Sequence, residues 1–149
     1  MVVWTNNEDT IVKDLNNLSI FYNDQLTVEG KTYSTFDAFN NNYVCEIKKR
    51  NFTSDHRFAL EGLIIEKIKY DSLLSKCSKI CVPDKEALYI NKFTDNKILI
   101  WNLSEMTNNG YNFNWHMKKM NKRTFESIED KTEKEIALLK PKEARKYGW

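Results

Sequence analysis

The sequence predicts an α/β (α+β) fold, a sheet core covered by helices. Three observations predict it. Short β-rich runs separated by Asn- and Gly-containing turns fill residues 19–50. An apolar-periodic stretch of helical length follows at residues 57–74. Further β-rich runs come after it, so helices and strands alternate in the order that places helices on a sheet.

Asn7-Glu8-Asp9-Thr10 precedes Ile11, Val12, Leu15 and Leu18, which predicts a short helix with acidic residues in its first turn, where the helix dipole favours them. Ser19 to Val28, with Ile20, Phe21, Tyr22, Leu26 and Val28, reads as a strand. Glu29-Gly30-Lys31 turns the chain. Thr32 to Phe39 reads as a second strand, Asn40-Asn41-Asn42 breaks it, and Tyr43 to Arg50 reads as a third, giving an antiparallel meander. Asn51 to Asp55 is a polar loop in which Ser54 or Asp55 is placed to cap the next element. Arg57 to Leu74 predicts one long helix on the sheet, with Gly62 inside it allowing close packing. Cys77 to Val82, Ala87 to Phe93 and Lys97 to Leu103 read as strands, with a hairpin turn at Thr94 to Lys97. Thr132 to Arg145 reads as a short amphipathic helix interrupted by Pro141.

The length of 149 residues fits one domain, read as a core over residues 1–110 and a basic C-terminal extension over 111–149 packed on or beside it. With 4 Gly, 2 Pro and 41% hydrophobic residues, collagen-like, Pro-rich and disordered classes are excluded. No apolar run approaches the roughly 20 residues that span a bilayer. The first ten residues lack the basic start and apolar stretch of a secretion signal. Cys45, Cys77 and Cys81 lack the spacing of a disulfide framework or a zinc site and read as reduced thiols, so a cytoplasmic setting is expected. The net charge of +2 divides unevenly, −2 over residues 1–110 and +4 over 111–149. A basic tail on a near-neutral body can follow a phosphate backbone, and it can equally be a solvated charged face.

The stretch that carries chemistry is Asp37, eight residues, then Glu46-Ile47-Lys48. Side chains alternate along a strand, so Glu46 and Lys48 share a face, and Asp37 on the preceding strand of the meander can lie beside Glu46. Two adjacent carboxylates repel unless a cation lies between them, and hard oxygen ligands suit Mg²⁺ or Mn²⁺. Such a metal polarises a phosphate oxygen and lowers the pKa of a bound water, while a nearby ammonium orients the water or offsets charge growing on phosphorus.

The Asp37…Glu46-x-Lys48 pattern, placed on a meander behind a short helix and ahead of a long one, resembles the PD-(D/E)xK superfamily, the restriction-endonuclease-like nucleases. The resemblance covers roughly residues 7–103, and the stretch Glu46 to Asp71 looks like small phage-encoded members. Phe36 stands where the family's name has proline, which is not a ligand. The resemblance implies a restriction-endonuclease-like core with a C-terminal helical extension. It implies a nuclease hydrolysing DNA phosphodiesters, with Asp37 and Glu46 holding Mg²⁺ or Mn²⁺ and Lys48 assisting the attacking water. Glu8 on the first helix and Glu66 and Lys69 on the long helix are the supporting residues it suggests, with Lys67 as a further polar candidate. A bacterial cell or phage-infected host is the implied setting, and cutting both strands of a duplex requires a homodimer or repeated nicking. The competing reading is a catalytically inactive nuclease-like module that binds nucleic acid or a host protein.

Lys49, Arg50, Lys118, Lys119, Lys122 and Arg123 are the candidate phosphate contacts. The last four interleave with Trp101, Tyr111, Phe113 and Trp115, which either stack bases or pack in the core. His56 and His116 are isolated and read as surface or satisfied histidines.

Overall fold

The computed structural model describes residues 3–30, 36–79, 85–121 and 131–148. Helix α1 (Val3–Leu15) buries Ile11, Val12 and Leu15. The run predicted as a first strand is mostly something else: a 3-10 turn at Ser19–Phe21, then β1 at Thr27–Val28. The Asn16 side chain explains the difference. It donates to the Leu26 carbonyl at 3.3 Å and accepts from the Leu26 amide at 2.7 Å, so this backbone is satisfied without a ladder while Phe21 and Leu26 are buried. Strand β2 (Ala38–Phe39) is the described end of the second predicted strand, whose residues 31–35 lie outside the described residues. Asn40 Oδ1 accepts from the amides of Asn42 (2.9 Å) and Tyr43 (2.7 Å), and the tight turn leads into β3 (Tyr43–Lys49).

The single long helix predicted over 57–74 is three elements: α2 (Arg57–Glu61), β4 (Leu63–Glu66) and α3 (Lys67–Lys79). His56, rather than Ser54 or Asp55, caps α2, its Nδ1 accepting from the Phe58 amide at 3.1 Å. Gly62 ends α2 at φ +132°, where a side chain is strained, and a Cβ there would stand 2.9 Å from Leu138 Cβ. Gly62→Ala is therefore expected to lower stability by about 1–3 kcal/mol in urea unfolding, combining backbone strain with overpacking. Helix α3 also takes in Cys77 and runs to Lys79, where a strand from Cys77 was predicted; residues 80–84 lie outside the described residues.

Strands β5 (Glu86–Lys92) and β6 (Ile98–Asn102) form the predicted hairpin, with Asn96 at φ 64° in its turn. Helix α4 (Leu103–Asn108) is capped by Asn102. Among its described residues the C-terminal part is built of strands instead of the expected helical extension. It forms β7 (His116–Asn121), β8 (Lys131–Leu139), a 3-10 turn at Pro141–Glu143 and β9 (Arg145–Tyr147). Residues 131–139 compose a good helix locally, but ladders on both sides, to β4 and β7, hold them extended.

The main sheet has six strands in the order β1-β2-β3-β5-β6-β9, and a second sheet has three in the order β4-β8-β7. Only β3 and β5 pair in parallel among the described strands, and such a pair needs a crossover, which α2, β4 and α3 supply. One face of the main sheet packs Cys45, Ile47, Leu88 and Ile90 on α1. The other packs Val44, Tyr89 and Trp101 against Tyr70 and Leu73 of α3 and against Ile65, Ala137 and Leu139 of the second sheet. The fold is thus α+β. Residues beyond 110 supply strands to both sheets instead of lying beside a finished core. No helix among the described residues is long and apolar enough to cross a membrane.

Candidate active site

Side-chain alternation along β3 sends Cys45 and Ile47 toward α1 and Val44, Glu46 and Lys48 toward α3. The pairing Ala38↔Cys45 brings Asp37, one residue ahead of β2, level with Glu46. Asp37 is fixed there at two points. Its amide donates to the Cys45 carbonyl at 2.8 Å, and its Oδ2 accepts from the Ile47 amide at 2.7 Å. Glu46 is 4% exposed, an unusual burial for a carboxylate. Lys48 Nζ stands 3.2 Å from its Oε2, and Lys69 Nζ reaches from α3 to within 3.3 Å of its Oε1. That Oε1 makes no hydrogen bond, so the Lys69 contact is ionic without hydrogen-bond geometry.

Burial pushes the Glu46 carboxyl above its ordinary pKa, the charge of Asp37 pushes the same way, and the two lysines only partly offset them. Burial works against the charge on Lys48, but Glu46, Tyr89 and Asp37 outweigh it, and the ammonium titrates above the ordinary lysine value. Lys48 is therefore a donor and a positive charge at neutral pH, not a neutral base. The Cys45 thiol, wholly buried on the opposite side of β3, is pushed up by burial and is unreactive as a thiolate.

Asp37 and Glu46 are hard oxygen donors level with each other on one face, the donor type a divalent cation takes, and each Glu46 oxygen faces a lysine ammonium with which a cation would compete. Mg²⁺ keeps several waters and is commonly held by one or two carboxylates. Among the described residues no group of three or more His, Cys, Asp and Glu side chains is placed to hold a metal.

The same face of the sheet continues the polar seam in Tyr89, Asn91 and the side chain of Arg50. Tyr89, opposite Glu46 on β5, donates its hydroxyl to the Ile64 carbonyl at 2.9 Å and accepts from Arg50 at 3.2 Å. Arg50 Nε donates to Asn91 Oδ1, and Asn91 is fully buried opposite Lys48. The signal was available: Tyr89 and Asn91 alternate with Leu88 and Ile90 in a strand otherwise made for burial. Arg50, expected to contact phosphate, thus turns its guanidinium toward the inside, whereas Lys49 is exposed.

Of the supporting residues, Lys69 reaches Glu46, while Glu66 pairs with Lys134 of β8 at 3.4 Å, and Lys67 pairs with Asp71 at 3.1 Å. Glu8 lies on α1, which packs on the other face of the sheet; its side chain lies outside the described residues. Lys118 and Lys119 are exposed on β7, and as strand neighbours they point to opposite faces. Lys122 and Arg123 lie outside the described residues. Phe113 and Trp101 are buried, and Phe113 stacks on Trp115 at 5.4 Å and leans on Tyr70 at 5.0 Å, so this aromatic group packs. His56 caps α2 and His116 Nδ1 lies 2.9 Å from the Asn114 carbonyl, each satisfied locally.

Compared with protein-family models, with curated proteins and with solved structures, the chain matches none.

Proposed function

We propose that the chain is a metal-dependent nuclease hydrolysing DNA phosphodiesters at a site built on Asp37, Glu46 and Lys48, on a core of restriction-endonuclease-like type. The observation that supports it most is the buried Glu46 carboxylate, level with Asp37 and flanked by Lys48 and Lys69. A charge set of this kind inside a core is expensive to maintain for stability alone. Asp37 and Glu46 would hold Mg²⁺ or Mn²⁺, which when bound would polarise a phosphate oxygen and acidify a water. Lys48, with 45% of its side chain exposed, is open to the surface while anchored to Glu46, so it can donate to a phosphate oxygen or hold the attacking water. Lys69 offsets the Glu46 charge from the helix side.

Lys48→Ala separates these roles. Nicking of a supercoiled plasmid in Mn²⁺ is expected to fall by about 10²-fold or more, the scale of losing one electrostatic catalytic element. Mn²⁺ binding by calorimetry is expected to persist or tighten, because an ammonium that competes for Glu46 is gone. A loss of metal affinity together with activity overturns the assignment of Lys48 to water or phosphate. The ion pairing of Glu46 to two lysines also favours a second reading, a nuclease-like module that binds nucleic acid without cutting it, since the charges of Asp37 and Glu46 are balanced by Lys48 and Lys69 without a metal. DNA binding by the wild type without any Mn²⁺-dependent nicking is the result that selects it.

A further inference from the structure

A second feature opens beside the seam. A groove of about 380 Å³ lies where β3 ends, between α2 and the second sheet. Arg50, Phe52, Phe58, Gly62, Ile64 and Lys118 are among the residues that line it. That volume is in the range of small-ligand sites. Phe58 is 48% exposed, an uncommon state for a phenylalanine, and its neighbour Leu60 is 62% exposed. Phe52 meets Phe58 edge-on at 5.8 Å and braces it against the core residue Phe93, 6.0 Å away. The Arg57 guanidinium lies 5.0 Å from the Phe58 ring centre. The groove therefore joins an aromatic surface to the cations Arg50 and Lys118, with the Glu61 carboxylate as the acidic group among its lining residues.

We propose that this groove binds an unpaired base of a DNA strand, stacked on the exposed part of the Phe58 ring with its phosphates toward Lys118. The inference rests on the nuclease reading and specifies its substrate: DNA that is single-stranded or locally open beside the cut. Position supports it. Arg50, which lines the groove, stands just past the end of β3, two residues and on the order of 7 Å beyond Lys48, so the groove adjoins the proposed site. Stacking on an aromatic ring requires a base out of its duplex stack, and it tolerates any base. Cations at the rim hold the backbone without reading sequence.

The test uses the full chain in EDTA, where no cutting occurs, and fluorescence anisotropy with labelled oligothymidylate, oligouridylate and a mixed-sequence duplex. Phe58→Ala is expected to weaken oligothymidylate binding by about 5- to 150-fold, the worth of one base–aromatic stack, and to leave duplex binding unchanged. Phe58→Trp is expected to retain binding. Lys118→Ala is expected to reduce the slope of log K against log salt by about 0.7, one phosphate on a single strand. Because Phe58 is half exposed, the alanine variant is expected to melt as the wild type does, and melting curves check that. Wild-type affinity in Phe58→Ala overturns the proposal, as does absence of single-strand binding in the wild type. Phe58-dependent binding of oligouridylate alone overturns the assignment to DNA. Plasmid nicking in Mn²⁺ is measured on the same proteins. Phe58-dependent binding without nicking keeps the groove and rejects the nuclease, and nicking with Phe58-independent binding does the reverse.

Discussion

Glu46→Ala is expected to lower Mn²⁺-dependent nicking by at least about 10²-fold while the far-ultraviolet circular dichroism stays that of the wild type. At the proposed site Asp37 and Glu46 hold the cation together, so the variant removes a carboxylate that Asp37 alone does not replace. Mn²⁺ affinity falls with it, which distinguishes Glu46 from Lys48. Glu46→Gln, nearly the same shape without the charge, tests the electrostatics through stability. The fold raises the Glu46 pKa, by burial first and by Asp37 second, so it favours the protonated form. The contribution of this group is then fully present below the ordinary carboxylate pKa of about 4.3 and is lost as pH rises through the raised value. The glutamine variant mimics the protonated form at every pH. Relative to wild type it is expected to gain stability between about pH 4 and pH 7, read by urea unfolding at both. The raised Lys48 value does not act in this window, because its contribution is lost only above the ordinary lysine pKa. A glutamine variant that loses stability toward neutral pH shows instead that the ion pairs carry ionised Glu46 at a net gain. The same variant with full nicking activity removes Glu46 from the mechanism.

The juxtaposition of Asp37, Glu46 and Lys48 was legible in the sequence because strand geometry is rigid. A period of two fixes which side chains share a face, and a three-residue Asn turn leaves little freedom in the register of β2 on β3. The approach of Lys69 was legible only as one polar residue among several on the element after β3. Which of Glu66, Lys67 and Lys69 turns inward depends on where α3 begins, and that is set by Gly62 and β4. Periodicity did not disclose β4, since Leu63-Ile64-Ile65 fits a buried helix as well as a strand. The second sheet was hidden for a different reason. Lys131 to Leu139 favours a helix by itself, and its extended form follows from partners at residues 63–66 and 116–121, contacts that no local pattern encodes. The inward turn of Arg50 likewise depends on Tyr89 and Asn91, some forty residues further along the chain.

Ending the chain at Gly110 is expected to prevent cooperative folding, although residues 1–110 contain the whole proposed site. Strand β8 is the ladder partner of β4, and β4 belongs to the crossover that carries α3, and with it Lys69, over the sheet. Truncation also removes Ile136, Ala137 and Leu139, all fully buried, and Phe113, and it strips β9 from the edge of β6. The buried Trp101 indole N–H donates to the Lys140 carbonyl at 2.9 Å and would lose that acceptor, a loss of about 1–3 kcal/mol. Leu139→Ala alone is expected to reduce stability by about 2–5 kcal/mol, a large part of the roughly 5–15 kcal/mol typical of a domain. The full set of losses exceeds that reserve. Thermal melts followed by near-ultraviolet circular dichroism, on the fragment and on Leu139→Ala in the full chain, measure both. A fragment that melts cooperatively near the full-length temperature places the C-terminal strands outside the folding unit. A non-cooperative fragment together with a weakened but cooperative Leu139→Ala shows that α3, and the Lys69 contact to Glu46, are held in place from the far end of the chain.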